Sequence, residues 1–213
     1  MIKGYESYLF DIDGTLLDTT ELIYLCFDHV CQKFGKFSPS FQQIAGLVGL
    51  PLTTMFQICF KNRVPVDIDV VTQAYKAHQK VLYTSHLKLF PKVDDVLKTL
   101  KNQHKKIAAV TARKKESLVP YLEHTGILVY FDVLVTPEMT DQHKPHPLPA
   151  LTALSLLKTP PERAIMIGDA RYDIECGAAA GLDTGFVTWS HNSVDDIGIT
   201  PTFILNNITD LIV

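Results

Sequence analysis

Apolar residues fall along this chain in two alternating rhythms. Unbroken short runs occur at Tyr8–Phe10, Lys106–Val110, Phe131–Val135, Ala164–Ile167, Thr184–Thr188 and Thr202–Leu205, and such runs predict strands buried on both faces. Between them the spacing is helical. Val93, Val96, Leu97 and Leu100 share one face of a segment from Pro91 to Asn102; Lys115–His124 ends at Gly126, Pro147–Leu157 follows, Arg171–Ala180 stops at Gly181, and a last helical turn starts at Asn207. This alternation predicts an α/β fold: a Rossmann-like parallel sheet with helices on both faces. It is interrupted once. From Thr19 or Thr20 to Tyr83 every signal is helical: Leu22 to Phe34 up to Gly35, Ser38-Pro39 toward Ala45, Leu52–Phe60 and Asp67–Tyr83. We therefore expect a core of residues 1–17 and 85–213 with a helical cap inserted over 18–84.

Polar residues cluster where predicted strands end. The first strand runs into Asp11-Ile12-Asp13-Gly14-Thr15, and two carboxylates two positions apart share one face of extended chain. Placing like charges so close is costly without a cation, so the pair invites a hard divalent ion, Mg²⁺. An isolated Asp-Gly is commonly no more than a turn, so the rest of the chain must decide. The strand at 107–110 ends at Thr111, and the strand at 164–167 at Gly168-Asp169 with Asp173 four positions on. Lys144 sits in a loop whose prolines, Pro145 and Pro147, stiffen the chain after it. A fixed ammonium is what a site with several carboxylates and a phosphate needs.

Composition narrows the classes. A formal charge of -3 over 213 residues offers no basic footprint for nucleic acid or an anionic membrane. The segment Met1–Ser7 has no signal-peptide character and no run of about twenty apolar residues occurs, so a cytoplasmic protein is expected. Cys26, Cys31, Cys59 and Cys176 show no metal-binding spacing and read as reduced packing residues. His143 and His146 lack a third ligand at a recognised spacing, which argues against zinc.

In order along the chain, DxDGT, a strand-ending Thr, a Lys-Pro loop and GDxxxD resemble the haloacid dehalogenase superfamily of phosphatases. Within it the chain resembles the phosphoglycolate phosphatase group, and bacterial pyrophosphatases tied to HPr serine-kinase signalling in the stretches DTTELI, YFDVLVT and PERAIMIGDxxxDI. The resemblance implies Asp11 as nucleophile and Asp13 as acid and base. It implies Mg²⁺ on the carboxylates of Asp11 and Asp169 and the backbone carbonyl of Asp13, with Asp173 bound through water or orienting that shell. Thr111 and Lys144 would grip the phosphoryl group, and Gly14, Thr15, Ala112, Arg113 and the cap residue Gly49 are further candidate substrate contacts. Two departures stand out: Ala170 replaces a frequent Ser, Thr or Asn, and Ala112-Arg113 follow Thr111 where relatives often have Asn or Thr.

The expected activity is a Mg²⁺-dependent phosphatase acting on small phosphate monoesters through an aspartyl phosphate. Pyrophosphate hydrolysis on the same machinery is the alternative, ahead of a phosphomutase or a non-catalytic phosphate-binding regulatory module. The Gly46–Pro51 loop carries glycines and no cation, which favours small compact anions: phosphoglycolate-like esters and pyrophosphate first, nucleotides next, hexose phosphates last. A monomer or weak homodimer is expected.

Overall fold

The structure is a computed structural model and describes residues 4–212; Met1–Lys3 of the leader segment considered above, and Val213, lie outside them. Six parallel strands form one sheet in the order β5-β4-β1-β6-β7-β8: β1 Ser7–Phe10, β4 Lys106–Val110, β5 Val133–Val135, β6 Ala164–Gly168, β7 Asp183–Val187 and β8 Phe203–Leu205. Alternate residues of the central strands enter opposite cores. Tyr8, Phe10, Ile107, Ala109, Ile165 and Ile167 face one cluster, whereas Leu9, Ala108, Val110 and Met166 face the other. Helices α5 (Val93–Asn102) and α6 (Lys115–His124) cover the first face, and α7 (Leu148–Leu157) and α8 (Arg171–Ala179) the second. This two-sided burial explains why the strands are continuous apolar runs.

Between β1 and α5 the chain builds α1 (Thr20–Val30), α2 (Phe41–Ala45), α3 (Leu52–Phe60) and α4 (Ile68–His86), with α1 packed on both α2 and α4. A two-stranded antiparallel ribbon, β2 (Leu17–Asp18) with β3 (Lys88–Leu89), joins the entry and exit of this helical segment. The periodicity gave no sign of the ribbon, because two residues per strand leave no period to read. Helix α1 closes in a π-turn, Cys31–Gly35, and α4 runs three residues past the expected Tyr83. Among the described residues no helix is long and apolar enough to cross a membrane.

Candidate active site

Strand β1 pairs with β4 on one side and β6 on the other, with Phe10 level with Ala109 and Ile167. Asp11, Thr111 and Asp169 therefore emerge within two residues of one level at the carboxyl edge of the sheet. The strand order also reverses there, which is where open α/β sheets place ligands. The Asp11 amide donates to the Ile167 carbonyl at 2.8 Å, fixing the loop that follows. Gly14 turns that loop at φ +89°, and a side chain there would collide with the Asp169 carboxylate.

Lys144, buried in the loop before α7, places Nζ 2.6 Å from Asp11 Oδ1 and 2.6 Å from Asp173 Oδ1. The second Asp173 oxygen accepts the Ala170 amide at 3.0 Å at the start of α8. Asp11, Asp169 and Asp173, all buried, each bring one carboxylate oxygen within 4.8 Å of the others. Three carboxylates thus face a single ammonium. Burial above all, with the charges of Asp173 and Asp13, pushes Asp11 up to about 7 against the pull of Lys144. Burial, Asp173 and Asp11 likewise hold Asp169 well above the usual carboxylate range. Lys144 stays charged: burial opposes the ammonium, but Asp11 and Asp173 outweigh it and raise its pKa. A buried all-oxygen donor set short of positive charge fits a hard divalent cation. No other group of three metal-ligating side chains comes together among the described residues. His143 lines a cavity instead, and His146 Nδ1 accepts the Leu148 amide.

Asp13 lies beside this cluster with its carboxylate held from two sides. Arg113 grips it as a fork, Nη2 to Oδ1 at 2.6 Å and Nε to Oδ2 at 3.0 Å, and the Thr19 hydroxyl donates to Oδ1 at 2.7 Å. The guanidinium rests on the Tyr121 ring, 4.3 Å from its centroid. Burial works against this charge, yet Asp13 more than compensates and raises the Arg113 pKa. The sequence suggested Arg113 as a substrate contact; its guanidinium is committed to Asp13. Its amide donates to the Thr111 hydroxyl at 3.1 Å, which ties both residues into one turn.

A narrow cavity of about 20 Å³, room for roughly one water, separates this edge from the helical segment. Gly49, Pro51, Thr111, Ala112 and Lys144 line it, so most of the expected phosphate contacts meet there. Gly49 adopts φ +102°, and a Cβ on it would stand 3.3 Å from Ala170 Cβ and 3.7 Å from Tyr172. The small residue at 170 thus leaves room for the loop to approach. The Thr15 hydroxyl is buried without a hydrogen-bond partner, while the Thr15 carbonyl accepts Trp189 Nε1 at 3.0 Å. Two supports of Asp169 carry no signal in the sequence: Asn192, whose Nδ2 donates to Oδ2 at 3.0 Å, and the Ser190 hydroxyl. Both lie in an irregular loop far from any motif.

Comparison with known proteins agrees with this geometry. Residues 8–187 match the family described as haloacid dehalogenase-like hydrolase. The pyrophosphatase PpaX of Bacillus pumilus is 32% identical over 208 residues, covering 97% of this chain and 94% of that protein. A Haemophilus somnus structure described as a predicted phosphoglycolate phosphatase superposes with TM-score 0.89 at 19% identity, over 99% of this chain and 98% of the other. A β-phosphoglucomutase from Clostridium difficile gives TM-score 0.83 at 20% identity, over 97% and 93%. At such identities the last two likenesses speak for the fold alone.

Proposed function

The chain belongs to the haloacid dehalogenase-like hydrolases and is a phosphatase of that family, and from that premise we propose a Mg²⁺-dependent phosphohydrolase working through an aspartyl phosphate on Asp11. The observation that carries the reading is the Lys144 ammonium shared at 2.6 Å by Asp11 and Asp173. It orients one nucleophilic carboxylate and presents a fixed positive charge to the phosphoryl oxygens. Asp11, Asp169 and Asp173, with the Asp13 carbonyl, would hold Mg²⁺, which when bound supplies charge neutralisation and in-line positioning.

In the first step an Asp11 oxygen attacks phosphorus as the bond to the leaving oxygen breaks, and Asp13 passes its proton to that oxygen. In the second, Asp13 takes a proton from water as the water oxygen attacks phosphorus and the Asp11–phosphorus bond breaks, releasing phosphate. Lys144 and the Thr111 turn bind phosphoryl oxygens throughout, where preorganised donors act most strongly. Arg113 and Thr19 act through Asp13: they hold its carboxylate from two sides, so Arg113 is a positioning residue, and one Asp13 oxygen leaves the fork to carry the proton. Residues 18–84 serve as a cap whose Gly46–Pro51 loop closes the site and limits leaving-group size.

For the substrate, the name carried by relatives at 32% identity moves pyrophosphate ahead of phosphoglycolate-like esters, reversing the order suggested by sequence. The cation-free glycine loop beside the phosphate contacts supports a compact anion in either case. Steady-state kinetics on pyrophosphate, phosphoglycolate, a nucleoside monophosphate and a hexose phosphate test this. The proposal expects kcat/KM to fall in that order, and a hexose phosphate as best substrate overturns it.

A further inference from the structure

Outside the carboxylate cluster, two thiols meet within the helical segment. Cys31 opens the π-turn after α1, Cys59 lies on α3, and their Sγ atoms stand 3.5 Å apart although the residues are 28 positions apart in sequence. Cys31 is buried, whereas Cys59 is partly open to solvent. The remaining cysteines, Cys26 and Cys176, are buried, and burial raises their thiols to about 12 and about 11.

We propose that Cys31 and Cys59 form a peroxide-sensitive dithiol that closes to an intramolecular disulfide and ties α3 to the end of α1. The asymmetry of the pair assigns the roles. The hydrogen bond the two sulfurs share, aided by the charge of Arg63, lowers the Cys59 thiol, and that bond together with burial raises Cys31. Cys59 is the thiol that a peroxide can reach, and it attacks first. Its thiolate takes the electrophilic oxygen of a hydroperoxide such as H₂O₂, leaving Cys59 sulfenic acid and hydroxide. The Cys31 sulfur then attacks the Cys59 sulfur. The S–O bond breaks, the Cys31 proton leaves with the departing hydroxide as water, and the two thiols have lost two electrons to the peroxide.

The linked ring encloses α2 and the Gly46–Pro51 loop, whose Gly49 rests against Ala170 and Tyr172 at the edge of the site. Oxidation thus adds a covalent constraint to the segment that carries that loop, independently of which phosphate compound the site hydrolyses.

The test treats the folded, reduced protein with H₂O₂ and follows intact mass, non-reducing peptide maps and amide exchange. We expect loss of two hydrogens, a Cys31–Cys59 linked peptide reversed by dithiothreitol, and amide exchange across residues 41–51 slowed several-fold. Cys59→Ser should abolish the link while leaving activity of the reduced enzyme unchanged, and Cys31→Ser should stop Cys59 at the sulfenic acid. Oxygen addition without a link in the unsubstituted protein, a link through Cys26 or Cys176, or unchanged exchange in the linked form overturns the proposal.

Discussion

Replacing Arg113 by Met removes a cation that does not line the phosphate cavity and holds Asp13 through bonds of 2.6 and 3.0 Å. The side chains are only 8% and 14% exposed, so this is a buried ion pair, and breaking such a pair costs about 3–5 kcal/mol. Against a typical domain stability of about 5–15 kcal/mol the variant should remain folded at 25 °C, which circular dichroism checks directly. Asp13 then keeps only the Thr19 hydroxyl and can turn about its side-chain bonds. A misplacement near 1 Å costs roughly 100-fold in rate, or about 2.7 kcal/mol of barrier. The loss should depend on the leaving group. An alkyl phosphate needs a proton on its departing oxygen and should lose about 100-fold in kcat, while p-nitrophenyl phosphate needs little help and should lose less than about tenfold. KM should change little on either. Arg113→Lys, which keeps the charge without the fork, should fall between. A raised KM with kcat intact would return Arg113 to the substrate-contact role suggested by the sequence, and equal losses on both substrates would remove its link to proton transfer.

Other consequences follow from the same geometry. Lys144→Met should lower kcat/KM by about 10²–10³-fold while the fold survives, a loss to be read by kinetics beside circular dichroism; activity within threefold of normal would contradict it. Activity should require Mg²⁺, vanish in EDTA and be poorly supported by Ca²⁺, whose longer and more numerous oxygen bonds suit a different geometry; full turnover in chelator refutes the cation assignment. Because burial raises the metal-free Asp11 and Asp169 carboxyls above their unfolded values, their protonated forms favour the folded state at acid pH and this contribution is lost as pH rises, the Asp11 part through about 7. The Tm increase from Mg²⁺ should therefore be larger near about pH 8 than near about pH 5.5, where the ion must displace protons; an equal or larger increase in acid counts against the site. Gly49→Leu should raise KM several-fold, because φ +102° and the nearness of Ala170 leave no relaxed place for a side chain; an unchanged KM separates the loop from the substrate.

What the sequence disclosed follows from how locally each feature is encoded. The runs that became β1, β4, β6 and β7 were legible because burial on both faces leaves no polar alternation to confuse them. Helix α5 begins at Val93, two residues later than the Pro91 expected, because Lys92 turns at φ +68°, a backbone choice invisible in the apolar pattern. Asp11, Lys144, Asp169 and Asp173 could each be singled out by position at a strand end or in a proline-stiffened loop. Their meeting depended on the sheet order, which places β1 between β4 and β6. Thr19 stands at the start of a helix, as its position predicts, but its hydroxyl serves Asp13. Asn192, Ser190 and Trp189 sit in a loop without periodicity, and nothing nearby in sequence says what they hold. The Cys31–Cys59 contact was hidden for the same reason: it is made by the packing of α3 on the end of α1, and the sequence supported only isolated packing cysteines.

The most direct test of the account is to catch the phosphorylated aspartate. In Asp13→Asn, p-nitrophenyl phosphate should still phosphorylate Asp11, since nitrophenolate leaves without a proton, while hydrolysis stalls for want of a base. Rapid mixing with acid quench should show a burst of one equivalent of nitrophenolate, and peptide mapping should place one phosphoryl group on Asp11, absent when Asp11 is also changed to Asn. A folded, Mg²⁺-supplied Asp13→Asn enzyme that carries its phosphoryl group on any other residue would contradict Asp11 as the nucleophile, and one that turns over steadily without a burst would contradict Asp13 as the base of the second step.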